Sequence, residues 1–291
     1  MHKIEEVIGL TSFPQGLSKY EYYLPATLKQ YQGRLIKTLG DFITKERIEK
    51  FNKVGSLRSR RVLTLFENTH HAHNISAVLR SIESQGFMEG IFLYSNPEMK
   101  FRAAESVDRG ASQWLILKKS SHFQQCIRFL KTSGYKIAVV SLPEFSKSAQ
   151  HFESNIPSFF NDELGTERFQ RLVEESPVAV IFGTELYGVS KEWFTYADFY
   201  LSVRMFGFTE SLNVSVCAGI VLQSLRRALV ESHPGKYYLS DFEKELTIEH
   251  WIAKTCPKAG EIVRERYGNL QEWYEFIKKP DFFIPFESIH S

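Results

Sequence analysis

The sequence predicts an α/β fold, a mainly parallel sheet covered by helices, on three observations. From residue 61 to residue 229 short apolar runs alternate with amphipathic stretches, the order expected when strands and helices take turns along a chain. Several runs, KIAVV and VAVIF among them, are apolar without alternation, as strands buried on both faces are. Between them lie amphipathic stretches, of which Asn74 to Gln85 carries apolar residues at helical spacing and stops at Gly86.

The runs place strands at Val62 to Phe66, Gly90 to Tyr94, Trp114 to Leu117, Tyr135 to Leu142, Pro177 to Phe182 and Phe199 to Val203. A helix is predicted over Asn74 to Gln85, with Asn74 as N-cap, Gly86 as the stop, and Ile75, Val78, Leu79 and Ile82 as the buried stripe. Arg80 projects away from that stripe. A second helix is predicted from Leu212 to Leu229; its first half, LNVSVCAGIVL, is apolar or small on every side, a pattern expected of a subunit interface. Ile43 to Val54 reads as a charged helix, and three helical pieces follow the core, around Asp241 to Lys254, Ala259 to Tyr267 and Leu270 to Ile277. Lys147 to Thr166 reads as a long excursion between a strand and the next helix. The expected domains are a basic, mostly helical extension over 1–60, a core over 61–232 and a helical extension over 233–291.

Composition narrows the class. The 291 residues are 43% hydrophobic and 24% charged, which excludes disorder of the whole. Three scattered cysteines with no CxxC pair argue against disulfides and cysteine-held zinc, and for a reducing cytoplasm. A charged start and the absence of an apolar run near 18 residues predict a soluble protein without a membrane span. The net charge of +2 conceals an asymmetry, +6 over residues 1–61 and −4 over the rest. Lys45, Lys50, Lys53, Arg58, Arg60 and Arg61 lie in its densest part and suit a surface that meets phosphates; a solvated helix face has the same signature.

The strand ends exclude several chemistries. GTELYGVS, residues 183–190, has the GxxxxG of a phosphate loop but Val189 and Ser190 where Lys and Ser/Thr are required. The first strand is followed by ENTHHAHN, not by GxGxxG, which excludes the dinucleotide fingerprint. No GxSxG elbow is present, and Cys217 sits in an apolar helix as core. His70, His71 and His73, with Glu67, are a candidate metal set. Their spacing in a turn does not aim three rings at one point, so a polar loop at a helix N-terminus is the expectation and no metal is expected.

Three segments at strand-to-helix junctions remain: NISAVLR (74–80), FGTELYGVS (182–190) and MFGFTESLNVS (205–215). In this order they closely resemble the three motifs of the SpoU (TrmH) branch of the SPOUT RNA methyltransferases, and within it the tRNA guanosine-18 2′-O-methyltransferases. TKERIEK ahead of the core, and Trp251 and Tyr267 behind it, support the resemblance. It implies a sheet whose C-terminal part is tied in a trefoil knot, S-adenosyl-L-methionine as cofactor, RNA as substrate and a homodimer. Position by position, it places the cofactor at Val140, Ser141, Gly183, Val203, Met205 and Leu212. It makes Arg80 the catalytic arginine, joined by Asn74, Glu185, Ser211 and Asn213. The family's proline between the Val203 and Met205 positions is Arg204 here. The same motifs serve ribosomal RNA and other tRNA nucleosides, and a knotted RNA-binding assembly factor without catalysis is the reading from a different class.

Overall fold

The computed structural model describes residues 28, 30–96, 109–141, 158–159, 175–184, 187–203, 205–209, 211–232 and 235–278. In chain order its main elements are α1 (Arg34–Leu39), α2 (Lys45–Gly55), β1 (Ser59–Glu67), α3 (Ala72–Ser84), β2 (Phe87–Leu93), β3 (Ile116–Ser120), α4 (Phe123–Thr132), β4 (Lys136–Val140), β5 (Ser158–Phe159), β6 (Val178–Phe182), α5 (Lys191–Tyr196), β7 (Phe199–Leu201), α6 (Val214–Ser232), α7 (Asp241–Thr255), α8 (Ala259–Arg266) and α9 (Gln271–Lys278). They fall into two compact units, Ser59–Tyr237 and a second built from both flanks, Met1–Arg58 with Tyr238–Ser291.

Among the described residues, the Ser59–Tyr237 unit holds a seven-stranded sheet in the order β3-β2-β1-β6-β4-β7-β5. Every pairing in it is parallel. The chain builds outward from β1 to β3, crosses to lay down β4, and then inserts β6 between β1 and β4 and β7 between β4 and β5. Register sets Phe66 beside Phe182, Val139 beside Ile181 and Val140 beside Leu201. The C-terminal ends of β1, β6, β4 and β7 therefore lie in a row along one edge, where parallel α/β sheets bind their ligands.

The core follows from the runs that predict the strands. All of β2 and β6 is buried, as strands covered on both faces must be. One core joins Val62, Phe66, Val178, Val180 and Phe182 of the sheet to Ile75, Val78, Leu79 and Ile82 of α3 and to Val214, Ala218, Val221, Leu222 and Leu225 of α6. α4 and α5 pack on β4. Burial pushes the Cys217 thiol up to about 11, so it stays protonated at neutral pH, in keeping with a packing role.

Several boundaries move for local reasons. The third strand starts at Ile116, because Ala111–Trp114 winds into a 3₁₀ turn. The fourth spans only Lys136–Val140. Of the excursion predicted over Lys147 to Thr166, only β5 is described; the rest lies outside the described residues. The first core helix begins at Ala72 with His71 as N-cap, so Asn74 is its third residue and not its cap: Ile75 N–H already bonds His71 O at 3.0 Å, closing the first turn two residues earlier. Gly86, at φ 72°, does stop it, in the left-handed conformation that glycine adopts at least cost.

In the second unit α7 is the central helix, started by a capping box in which Ser240 and Glu243 satisfy each other's backbone N–H groups. Its Glu249, fully buried, accepts the Leu35 N–H at 2.7 Å and the Trp273 indole N–H at 3.2 Å, joining α1 and α9 to α7. The Arg58 guanidinium, 1% exposed, lies over Trp251 at 5.5 Å. Among the described residues no helix is long and apolar enough to cross a membrane.

Candidate active site at the strand ends

Three loops meet along the C-terminal edge of the sheet. The first leaves β1 through Asn68, whose φ of 54° turns the chain and whose side-chain amide brackets Ser95, donating to Oγ at 3.0 Å and accepting from the backbone N–H at 2.8 Å. It continues through Thr69, His70 and His71 into α3.

The second loop leaves β6 at Gly183. A Cβ there would lie 2.0 Å from the Gly188 backbone, so only glycine permits the approach. Thr184 and Gly188 exchange two backbone hydrogen bonds at 2.9 Å, and the Thr184 hydroxyl accepts the Tyr187 N–H at 3.1 Å. The loop is fastened to the first strand by Glu67, 4% exposed, whose carboxylate accepts the Ser190 N–H at 2.6 Å and the Ser190 hydroxyl at 2.8 Å. The carboxylate that completed the candidate histidine metal set is thus committed to holding a loop. Its role was not readable from sequence, since Glu67 and Ser190 lie 123 positions apart.

The third loop ends at Asn213, which caps α6. Its side-chain oxygen accepts the Ser215 N–H at 3.0 Å and the Ser215 hydroxyl at 2.6 Å, while its amide donates to the Asn74 side-chain oxygen at 3.1 Å. The first and third motifs are thereby joined side chain to side chain.

Ser211 lies half-buried two residues before this cap. Arg80 lies exposed on α3, six residues and so about 9 Å beyond Asn74, and is not among the residues lining the cavity at the loop junction. Glu185 and Arg204 lie outside the described residues.

The positions assigned to the cofactor gather on neighbouring strand ends. Val140 closes β4, Ser141 N–H bonds Leu201 O at 2.9 Å, Gly183 follows β6, and Val203 follows β7. Met205 and Leu212 lie half-buried in the third loop. Among the described residues the hydroxyls of Ser141 and Ser202 are shielded from solvent with no hydrogen-bond partner. Orphaned hydroxyls at neighbouring strand ends fit a polar ligand such as S-adenosyl-L-methionine.

On the β1 side of the second loop lies a cavity of about 270 Å³, lined by Asn68, Thr69, His70, His71, Asn74, Thr184, Tyr187 and Val214. Around the loops Tyr187, Phe206, Phe208 and Val216 are exposed, Tyr187 at 83% and Phe208 fully.

The basic residues separate. Lys45, Lys50 and Lys53 are exposed on α2. Arg58 is buried over Trp251, and Arg60, 7% exposed, is ion-paired with the buried Glu89. These two are corrected out of the phosphate-facing set, because a guanidinium already shielded and partnered inside the protein cannot also meet an RNA backbone. Arg61 is half-buried over the Tyr237 ring at 4.8 Å, and burial lowers its pKa.

A parallel sheet with inserted β6 and β7 thus carries glycine-shaped loops at its C-terminal edge, and an asparagine pair joins two of its three motif segments. Residues 61–223 match the SpoU rRNA Methylase family, and the chain belongs to it. It is 31% identical over 209 residues to a tRNA (guanosine(18)-2′-O)-methyltransferase of Borreliella burgdorferi, covering 72% of this chain and 85% of that one. A tRNA (guanosine(18)-2′-O)-methyltransferase of Thermus thermophilus is 27% identical, with 72% and 98% covered. The fold is similar to that of the TrmH/SpoU tRNA modifying enzyme of Aquifex aeolicus, with a TM-score of 0.59 at 22% identity over 74% of this chain and 98% of that one.

Proposed function

We propose that the chain is an S-adenosyl-L-methionine-dependent RNA ribose 2′-O-methyltransferase acting on guanosine 18 of tRNA. The observation that carries the reading is the Asn74–Asn213 bond, which joins two motifs at a cavity across the Gly183 loop from the Val140 and Val203 strand ends. When bound there, the cofactor would supply an electrophilic methyl group to the ribose 2′-oxygen, a C–O bond replacing the S–C bond, with the hydroxyl proton passing to solvent and S-adenosylhomocysteine as the leaving group. Val140, Ser141, Gly183, Val203, Met205 and Leu212 would hold the cofactor. Such a displacement needs alignment more than covalent help from the protein. Arginine is too weak an acid to serve as a base at pH 7. Arg80 instead grips an RNA phosphate and stabilises the developing alkoxide. Asn74, Glu185, Ser211 and Asn213 order the loops around it.

The exposed apolar side chains of Phe206, Phe208 and Val216 support a homodimer in which a second copy covers them. The trefoil knot belongs to the same reading, supported by the late insertion of β6 and β7. The terminal segments supply the tRNA grip through Lys45, Lys50 and Lys53, and the cytoplasm, where tRNA is found, is the expected compartment.

Unmodified tRNA transcripts incubated with labelled cofactor and mapped by nuclease digestion test the proposal. Label at guanosine 18 is expected. Label at another nucleoside, or on ribosomal RNA, would keep the chemistry and move the target. Silence on both would favour the non-catalytic binder.

A further inference from the structure

The cavity at the end of β1 contains a polar group that the folded chain does not satisfy. Thr69 is 5% exposed and lines the cavity, and its hydroxyl has no hydrogen-bond partner among the described residues. A shielded hydroxyl without a partner destabilises the free protein, and threonine can be replaced there by isosteric valine. Its presence is accounted for by a ligand that completes the bond.

Three further features describe that ligand. Tyr187, on the tip of the second loop, lines the same cavity while 83% of it is exposed, the exposure of an aromatic face awaiting a planar partner. Asn74 lines the cavity and is tied to Asn213, so the reacting end of the site is continuous with it. The volume, about 270 Å³, lies near the lower end of the range for small-molecule pockets and suits a single nucleoside rather than a duplex.

Sheet order adds direction. The strand ends assigned to the cofactor belong to β4, β6 and β7, whereas this cavity lies between β1 and β6. The second loop, rising from β6, therefore stands between the two, with Gly183 on the path from one to the other.

We propose that this cavity receives the acceptor guanosine turned out of the RNA, its base stacked on Tyr187 and its polar edge bonded to the Thr69 hydroxyl, with the ribose directed toward the Asn74–Asn213 pair. This rests on the methyltransferase reading above and names the residues that hold the base. Tyr187 contributes area and not its hydroxyl, so phenylalanine replaces it. Thr69 contributes one hydrogen bond to the base.

The test uses the full chain and an unmodified tRNA transcript, with kcat and KM for methylation, binding of S-adenosyl-L-methionine alone by calorimetry, and thermal melting. Tyr187→Ala is expected to lower kcat/KM at least about tenfold, the effect of one lost base–aromatic stack, while Tyr187→Phe retains it and both bind the cofactor as wild type does. Thr69→Val is expected to melt at the same or a higher temperature and yet raise KM for the transcript several-fold, a combination that a structural role would not give. Wild-type kcat/KM in Tyr187→Ala, with the wild-type protein active, would overturn the base pocket alone. Loss of cofactor binding in both Tyr187 variants would overturn it too, by showing that Tyr187 holds the loop. A wild-type protein that methylates no RNA would overturn both the pocket and the reading beneath it.

Discussion

Asn213 donates to the Asn74 side-chain oxygen at 3.1 Å while its own oxygen caps the helix behind it. The two residues therefore do unequal work. Asn213→Ala removes a cap and is expected to cost about 1 kcal/mol of stability in chemical denaturation. Asn74→Ala removes no cap and costs less. Both cut methylation, and their effects on kcat/KM combine to much less than the product of the single losses, because either change breaks the same bond. Fully multiplicative losses would show that the pair does not act as a unit.

Glu67 holds Ser190 through two hydrogen bonds, one from the backbone and one from the hydroxyl. Glutamine at position 67 has one oxygen where the site requires two acceptors, and turns an NH₂ toward a donor. Glu67→Gln is expected to destabilise the fold by about 1.5–3 kcal/mol and to weaken cofactor binding, since the Gly183 loop loses its anchor. Calorimetric titration of the cofactor measures the second effect; unchanged affinity would contradict it.

Arg80→Ala is expected to retain cofactor affinity and most RNA affinity while kcat falls about 100-fold or more. Filter binding beside single-turnover kinetics separates the two. A fall confined to RNA affinity would remove Arg80 from the chemistry.

Buried charges make stability depend on pH. Burial raises the Glu249 carboxyl from an ordinary 4.5 to about 8; N–H bonds from Leu35 and Gly33 pull it down, Glu245 pushes it up and the Trp273 bond pulls it down. Folded Glu249 keeps a proton that the unfolded chain releases, so its contribution is whole below pH 4.5 and is lost as pH rises toward 8. His250 runs the other way. Burial first, with a smaller push from Lys254 and an opposing bond to Ile277 O, lowers it from 6.5 to about 4, so its contribution is whole above 6.5 and is lost as pH falls toward 4. The two slopes offset each other between 4.5 and 6.5, leaving a net fall from 6.5 to 8. Glu249→Gln is expected to abolish that fall in melting temperature and to expose the rise due to His250 below 6.5.

The exposed lysines and the buried arginines differ in what salt reveals. Removing Lys45, Lys50 or Lys53 is expected to weaken tRNA binding and to reduce the salt slope by about one each where a phosphate is contacted. Arg58→Ala and Arg60→Ala destabilise the protein and leave the slope unchanged. Binding titrations from low to moderate salt distinguish the two groups.

Much of this was legible in the sequence. Apolar runs such as VAVIF specify buried parallel strands wherever they pair, and the three motifs bring Asn74, Gly183 and Asn213 to the strand ends. What was hidden depended on distance along the chain. No local signal says that Glu67 waits for Ser190, or that Arg60 is matched by Glu89 instead of facing solvent. The cap at Asn74 failed because the first turn of α3 closes earlier, on His71, and the Asn74 side chain is met instead by Asn213 across 139 positions. Seven basic residues between Lys45 and Arg61 look alike in a charge count, yet burial divides them.

The second unit is assembled from both flanks of the methyltransferase core, and its central bond joins Leu35 to Glu249, 214 positions apart. During synthesis on a ribosome, α1 and α2 emerge before the core and must wait, without the helix that buries them, until α7 has been translated. The core between them carries its own sheet and can condense in the interval. A nascent chain stopped before α7 therefore has the strand ends of the core but lacks the finished flank unit, and exposes the apolar side of α1 to the cell's quality-control machinery.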